Sequence, residues 1–437
     1  MLKARIIGLS ALLLLSACGG AGETDPGGGG AASGVKNETA GITDTSIVIG
    51  THQPLTGPAA SGYASISAGS RAVYSYVNDA GGINGRKIDY RVEDDGYNPT
   101  KTVEVVKKLV LQDQVFAVVG GLGTPTHSKV LDFLTTEGVP DVLVSSGALA
   151  WDDPAARPMT YGFQVDYTRE SKILGKYVKE NLAGKKVGVL YQNDDVGRDA
   201  QAGLDQFVKD AVVSRQPYDS ANTDVLPQLT ALKGAGAEVV VCECVPAFTA
   251  LAVLTSARLG YKPQFVVNSI GADTRTLSGL LSAFSKQAGA EVSPSALLTG
   301  MIGAGYLPGV DTDDPWITLF KEIHQRYIPD VPLTNTLVSG MAQAYTFAQA
   351  VKLAGRDLTR SKLLEAMSSG SLSGPGMTPF AFSKDSHAGY TGAFVFTVSP
   401  DLTPKVVQEP MVTDRGTGPI TAAPTARRTP AEVALVG

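Results

Sequence analysis

Cysteine, histidine and charge are all scarce in this chain. Its 437 residues include three cysteines and four histidines, and only 18% are charged. Three cysteines cannot build a disulfide framework, so stability must come from a hydrophobic core. Four scattered histidines without paired spacing argue against a zinc site. The formal net charge of −5 and the lack of any long run of like charge argue against a nucleic-acid partner or a charged tail. Beyond the first fifteen residues no apolar stretch is long and charge-free enough to be a transmembrane helix. Walker A and nucleophile-elbow patterns are missing, and no short-period repeat runs through the chain.

Much of the chain is apolar. Hydrophobic residues make up 43%, enough for well-filled cores, and the length suits two lobes rather than one. Lys3 and Arg5 precede a short run, "IIGLSALLLL", of the length of a signal-peptide h-region. "LSAC", Leu15 to Cys18, follows and resembles the bacterial lipobox. That resemblance implies a signal peptide over 1–17, cleavage before Cys18, lipid on Cys18 and membrane anchoring. Losing Lys3 and Arg5 leaves 35 basic against 42 acidic residues. Residues 18–41, Gly-rich and polar, read as a flexible linker, and 409–437, rich in Thr, Pro, Ala and Gly, as a poorly ordered tail.

Between these ends strand and helix signals alternate. "SIVIGTH", "KIDYRVEDD", "VFAVVGG" and "PDVLVSS" read as strands with helical spacing between them, and the rhythm restarts with "KKVGVLYQ", "AEVVVCECV" and "KPQFVVNS". Asn98 before Pro99 and Asp314 before Pro315 are helix N-caps by type and position. Such βα alternation predicts an α/β fold of two doubly wound parallel-sheet lobes. Cys242 and Cys244 point to one face of a strand. Two buried thiols are expected there, a bridge between neighbours so placed being the geometrically poorer alternative.

No catalytic constellation assembles, so no enzyme and no cofactor are expected. The pairs Asp94-Asp95 and Asp194-Asp195 follow strands, where acids satisfy turn backbones. His52 and His127 have no acid beside them in sequence and are expected as solvated or capping residues. Gly121-x-Gly123 is a partial dinucleotide motif with Thr126 where the third glycine would stand, a weak signal. What remains is a set of strand ends rich in Gly, Ser, Thr, Asn and acids. In open α/β sheets that is where small ligands bind.

"IVIGTHQPLTGPAA", "VNDAGGINGRKIDY", "VEDDGYNPTKTVEVVKKLV", "GGLGTPT" and "VLVSSGA" together resemble the leucine/isoleucine/valine-binding family of extracytoplasmic solute receptors for ABC importers. The likeness runs over roughly Ile42 to Val407. It implies a type I periplasmic-binding fold with three crossovers between the lobes, lobe 1 over 42–164 plus 300–380 and lobe 2 over 165–299 plus 381–408. It also implies a ligand closing the cleft between them. By that resemblance Thr124 binds a ligand carboxylate, Ser145 and Gly147 add contacts, and Tyr63 supplies an aromatic wall. The strand ends "YQNDD", "CECVP" and "VVNS" add Asp194, Glu243 and Ser269 as candidate ligand-binding residues. Amino-acid binders of the family carry an acid where Ser269 stands; Glu243 is the candidate to replace it as an ammonium anchor. The implied protein is an extracytoplasmic, lipid-anchored monomer. It would deliver a branched-chain or related amino acid, or an aromatic or other organic acid, to an ABC permease. A ligand-sensing receptor on the same fold, without transport, is the alternative.

If Cys18 is the only anchor, Cys18→Ser protein should move from the membrane fraction to the soluble fraction on cell fractionation. Unchanged membrane association would end the lipoprotein reading.

Overall fold

The computed structural model describes residues 34–289 and 291–435. The expected signal peptide, Cys18 and the expected linker up to residue 33 lie outside the described residues. The β-branched runs pair as five parallel strands, β1 (Ser46–Gln53), β2 (Lys87–Asp94), β3 (Ala117–Val119), β4 (Asp141–Val144) and β5 (Thr160–Gly162), in the order β2-β1-β3-β4-β5. β6 (Val187–Gln192), β7 (Val212–Tyr218), β8 (Val239–Glu243), β9 (Gln264–Val267) and β10 (Ile302–Gly305) repeat that order in a second sheet. In both sheets the chain reverses direction across the sheet beside its first strand, between β1 and β3 and between β6 and β8. The carboxyl ends of those pairs form the crevices where ligands sit in such folds.

The second sheet is not wholly parallel. β11 (Gly392–Val398), β12 (Pro404–Val412) and β13 (Thr421–Ala422) extend it antiparallel beyond β10. The tight turn "SPDLT" between β11 and β12 is too short for a parallel crossover, which needs a dozen residues or more. β10 pairs with β9, so residues 302–305 belong to the second sheet rather than to the expected 300–380 part of lobe 1. Phe380 packs with Phe163 of the first lobe as expected, and Phe382, expected in lobe 2, packs with Tyr161 of the first lobe as well. The chain crosses between lobes three times: after β5, after β10 and before β11.

Three other expectations change. The tail beyond 409 is ordered: Trp316 donates its indole N–H to the Arg428 carbonyl at 2.9 Å, Arg427 pairs with Asp314, and Leu435 is buried in the first core. Buried donors on the body need acceptors, and the tail backbone supplies them. Residues 34–41 also lie against the body, where buried Arg360 donates to the carbonyls of Lys36, Val115 and Phe116. Cys242 and Cys244 are joined by a disulfide with their Cα atoms 5.2 Å apart, within the usual reach of such a bond.

The first core is built where helix Ser65–Asp79 crosses helix Asn335–Ala354. The crossing is close because the contact residues are small. A Cβ on Gly340 would fall on the Ile66 carbonyl oxygen, and Ser70 Oγ donates to the Gly340 carbonyl at 2.9 Å. Gly340→Ala should therefore lower stability by about 1–3 kcal/mol through overpacking. Gly279→Ala, in a helix with nothing near the new methyl, should stabilise slightly. Thermal unfolding of the two variants checks this; equal midpoints would show that the helix crossing is not tight.

Candidate functional site

The turn after β3 is shaped by what lies beneath it. A Cβ on Gly121 would stand 2.5 Å from His127 Nδ1 and 2.7 Å from His52 Nε2, and one on Gly123 would stand 2.6 Å from the Tyr97 ring. Only glycine lets the backbone pass here, and Gly123 adopts φ 102° besides. His127 N–H donates back to the Gly123 carbonyl at 3.0 Å, closing the single helical turn Thr124–His127. One turn carries little macrodipole, so the hydroxyls at this place matter more than the expected helix field.

Three hydroxyls converge there. Thr124 Oγ1 lies 2.7 Å from Ser146 Oγ and 3.3 Å from Tyr167 Oη, and Ser146 Oγ lies 3.4 Å from Tyr167 Oη. Ser145 Oγ accepts from Gln343 Nε2, which leaves its own proton to donate elsewhere. Burial pushes the Tyr167 phenol up to about 12, so it stays a neutral donor at any ordinary pH. Thr124, Ser145 and Tyr167, with Tyr63, Tyr97, Leu122 and Ile270, wall a cavity of about 20 Å3, room for roughly one water, and Ser146 joins them through Thr124. No Lys or Arg lines it, so a carboxylate there would be held by neutral donors.

The lobes meet around this point. Leu149 N–H donates to Asp199 Oδ2 at 2.9 Å and Thr336 N–H to Asp273 Oδ2 at 3.0 Å. A second cavity, of about 390 Å3, lies between the lobes beside the crossovers and shares Tyr63, Ile66, Gln164 and Ile270 with the first.

Of the sequence candidates, Tyr63, Thr124 and Ser145 line the small cavity, and Tyr63 and Ser269 line the large one. Gly147 lies behind the hydroxyls, where a Cβ would meet Val165 O at 2.6 Å and the Tyr167 ring at 2.9 Å; it lets Tyr167 approach. Asp194 is a helix N-cap, bonded to Val196 N–H at 2.9 Å and Gln192 Nε2 at 2.6 Å. Glu243 is fully buried and accepts from Ser171 Oγ at 2.8 Å, lining neither cavity. Sequence reasoning missed Tyr97, Ser146, Gln164 and Tyr167. The two hydroxyls follow strand ends β4 and β5, and that position was the available signal.

His52 and His127 are neither solvated nor capping. Both are fully buried in a row running Asp95 Oδ2, His52, His127, Asp141 Oδ2, with contacts of 2.7, 2.8 and 2.8 Å. Their partners lie 43, 75 and 14 residues apart in sequence, beyond the reach of local pattern. Three hydrogen bonds in line need three protons, and two neutral imidazoles bring two. A fully bonded row therefore holds one extra proton and a net charge of −1. Burial draws the His52 pKa down, while the bond to Asp95 opposes it.

A family profile described as periplasmic binding protein matches residues 46–402. The chain belongs to that family. It is a family of solute-binding proteins rather than enzymes, working outside the cytoplasm. Among relatives, the Leu/Ile/Val-binding protein homolog 3 of Brucella melitensis is 29% identical over 199 residues, 44% of this chain and 53% of its own. The leucine-, isoleucine-, valine-, threonine- and alanine-binding protein of Pseudomonas aeruginosa is 26% identical over 190 residues, 43% of this chain and 50% of its own. The chain thus spans about half the length of the curated relatives it matches. A Thermus thermophilus branched-chain amino acid ABC transporter structure with bound valine aligns at TM-score 0.74 and 19% identity, covering 86% of this chain and 98% of that one. A fatty acid ABC transporter substrate-binding protein from Thermomonospora curvata aligns at 0.75 and 22%, covering 87% and 96%. These two confirm the type I periplasmic-binding fold. Among the described residues, no helix is long and apolar enough to cross a membrane.

Behind the second-lobe wall two acids are buried together. Glu170 accepts from Ser269 N–H at 3.0 Å, and one oxygen of Glu170 and one of Glu243 have no partner within the described residues. Burial pushes Glu170 up to about 8 and Glu243 to about 7. Acids raised in the folded state cost nothing below the unfolded value of 4.5; from there stability falls as pH climbs toward 7 and 8, and the full loss is in place above that. Glu170→Gln should remove part of that fall, raising the unfolding temperature over the parent at pH 8.5 by a few degrees or more and much less at pH 5. An equal offset at both pH values would show that Glu170 does not stay protonated.

Proposed function

We propose that this chain is the lipid-anchored, extracytoplasmic solute-binding component of an ABC importer, holding a small carboxylate-bearing molecule between its lobes. The observation that carries the reading is the convergence of Thr124, Ser146 and Tyr167 hydroxyls beside Ser145 at the β1/β3 crevice. Hydroxyl donors without a neighbouring acid in the cavity wall suit an anionic head. The family supports transport, and the names of the relatives support a branched-chain amino acid or another organic acid as cargo. The ligand's ammonium, if it has one, finds no ready anchor in Glu243.

Charge-assisted hydrogen bonds are worth on the order of 1.5–3 kcal/mol, and about 1.4 kcal/mol is tenfold in affinity. Thr124→Ala should therefore weaken the bound acid roughly tenfold or more in calorimetry. The acid should stabilise the parent against heating more than its amide does. A best stabiliser that is neutral or cationic, or full affinity in Thr124→Ala, would overturn the carboxylate reading.

A further inference from the structure

The geometry points to a ligand with a large apolar body: a monocarboxylate whose chain or ring system continues from the hydroxyl cluster into the 390 Å3 cavity. This rests on the carboxylate reading above and names its cargo. The two spaces between the lobes are unequal. The hydroxyl end has about 20 Å3, near one carboxylate oxygen in size, and the neighbouring cavity nearly twentyfold more. At about 30 Å3 per water in liquid, and a methylene of similar bulk, the large cavity suits roughly eight to twelve carbons. A branched-chain amino acid would leave most of it unfilled.

The wall fits such a body. Ile66, Ile270, Leu307, Met377, Phe394 and Phe396 supply apolar surface from both lobes. Gly303 and Gly305 let the Phe396 and Phe394 rings lie flat on the sheet, since a Cβ at either glycine would run into its ring. That flattening keeps the space open. The large cavity's charged groups fix the ligand's direction. Asp273, Asp311, Asp314 and Glu409 are all carboxylates. Asp311 and Asp314 are paired with Arg275 and Arg427, and Asp273 is bonded to Thr276 and Thr336. Asp273 and Glu409 form no ion pair among the described residues, so an anionic head is disfavoured at that end and placed instead at the hydroxyls, which have no formal charge beside them in the small cavity.

The test is a binding series on the mature protein with butyrate, octanoate, dodecanoate, methyl dodecanoate and L-leucine. Each methylene that enters an apolar cavity should tighten binding by roughly fourfold. Dodecanoate is thus expected to bind at least a hundredfold tighter than butyrate or L-leucine, and the methyl ester at least tenfold weaker than the acid. Ser339→Phe, on the helix bordering the cavity, and Val406→Trp, at its exposed rim, should each cut dodecanoate affinity tenfold or more and spare butyrate. Val406 is surface-placed, so its variant tests the cavity even if Ser339→Phe fails to fold. Tight L-leucine binding with weak dodecanoate binding would overturn this inference and leave the carboxylate reading standing. Dodecanoate binding that both variants leave unchanged would also overturn it, as surface adsorption. Equal affinity for acid and ester would overturn the carboxylate head while keeping the cavity; no binding by any acid would overturn both.

Discussion

One buried polar row links the first lobe. The row from Asp95 through His52 and His127 to Asp141 joins the end of β1, the turn after β2, the turn after β3 and the start of β4. Buried charge is costly unless each member is satisfied, and here each imidazole has a partner at both nitrogens. Thr102 Oγ1 at 3.0 Å and Tyr97 N–H at 2.9 Å add further donors to Asp95. The two rings stack with centroids 5.2 Å apart and fill the space under Gly121, which is why that residue has no side chain. The same network sets Tyr97, whose backbone takes a positive φ of 59° while its N–H is held by Asp95. Position of the candidate turn and of one of its aromatic walls thus follows from a polar network below the cleft.

The second lobe uses buried charge differently. Lys172 is 1% exposed, and its ammonium donates to Asp414 at 2.8 Å and to the carbonyls of Gly416 and Gly418 at 2.6 and 2.8 Å. The tail is ordered because it answers this cation. Glu170 and Glu243 meet no cation among the described residues, and burial raises both, favouring the neutral form as the cheaper outcome for an unpaired buried acid. Ser269 hangs from Glu170 by its backbone, so the protonation of a hidden acid bears on a residue of the cavity wall.

Local signals carried much of the fold. Asn98 caps its helix through Thr100 and Lys101 N–H, and Asp314 through Trp316 N–H, as their positions before Pro imply. The central parallel strands were legible because they are nearly continuous buried apolar runs, "VVVCE" being buried throughout, whereas "VVSRQPY" at the β7 edge is half-exposed and gave no such signal. The antiparallel edge was not, since "PKVVQEPMV" is partly exposed and only its pairing with β11 makes it a strand. The histidines were misread for a similar reason: a side chain whose partners come from other strands gives no local sign of burial. Among the residues that line the small cavity, Thr124, Ser145 and Tyr63 were singled out through strand-end position and family likeness. Ser146 and Tyr167 were not singled out, because which of two adjacent serines and which residue after β5 turn inward depends on backbone direction.

That last detail decides how binding and closure are coupled. Thr124 and Ser146 belong to the first lobe, on the turns after β3 and β4. Tyr167 begins helix Tyr167–Asn181, which packs against helix Asp195–Val208 of the second lobe. The hydroxyl cluster therefore spans the cleft, and a head group can bond to all three only when the lobes are together. A ligand can favour one arrangement over another only through contacts that differ between them. Tyr167 is such a contact, and so are the cavity walls drawn from both lobes. Ile66 comes from the first and Phe394 from the second. A ligand that reaches only Thr124 would bind the separated first lobe almost as well, and would leave the lobes where they were. A shift in lobe arrangement on occupancy thus requires a molecule that touches both sides, whatever its head group.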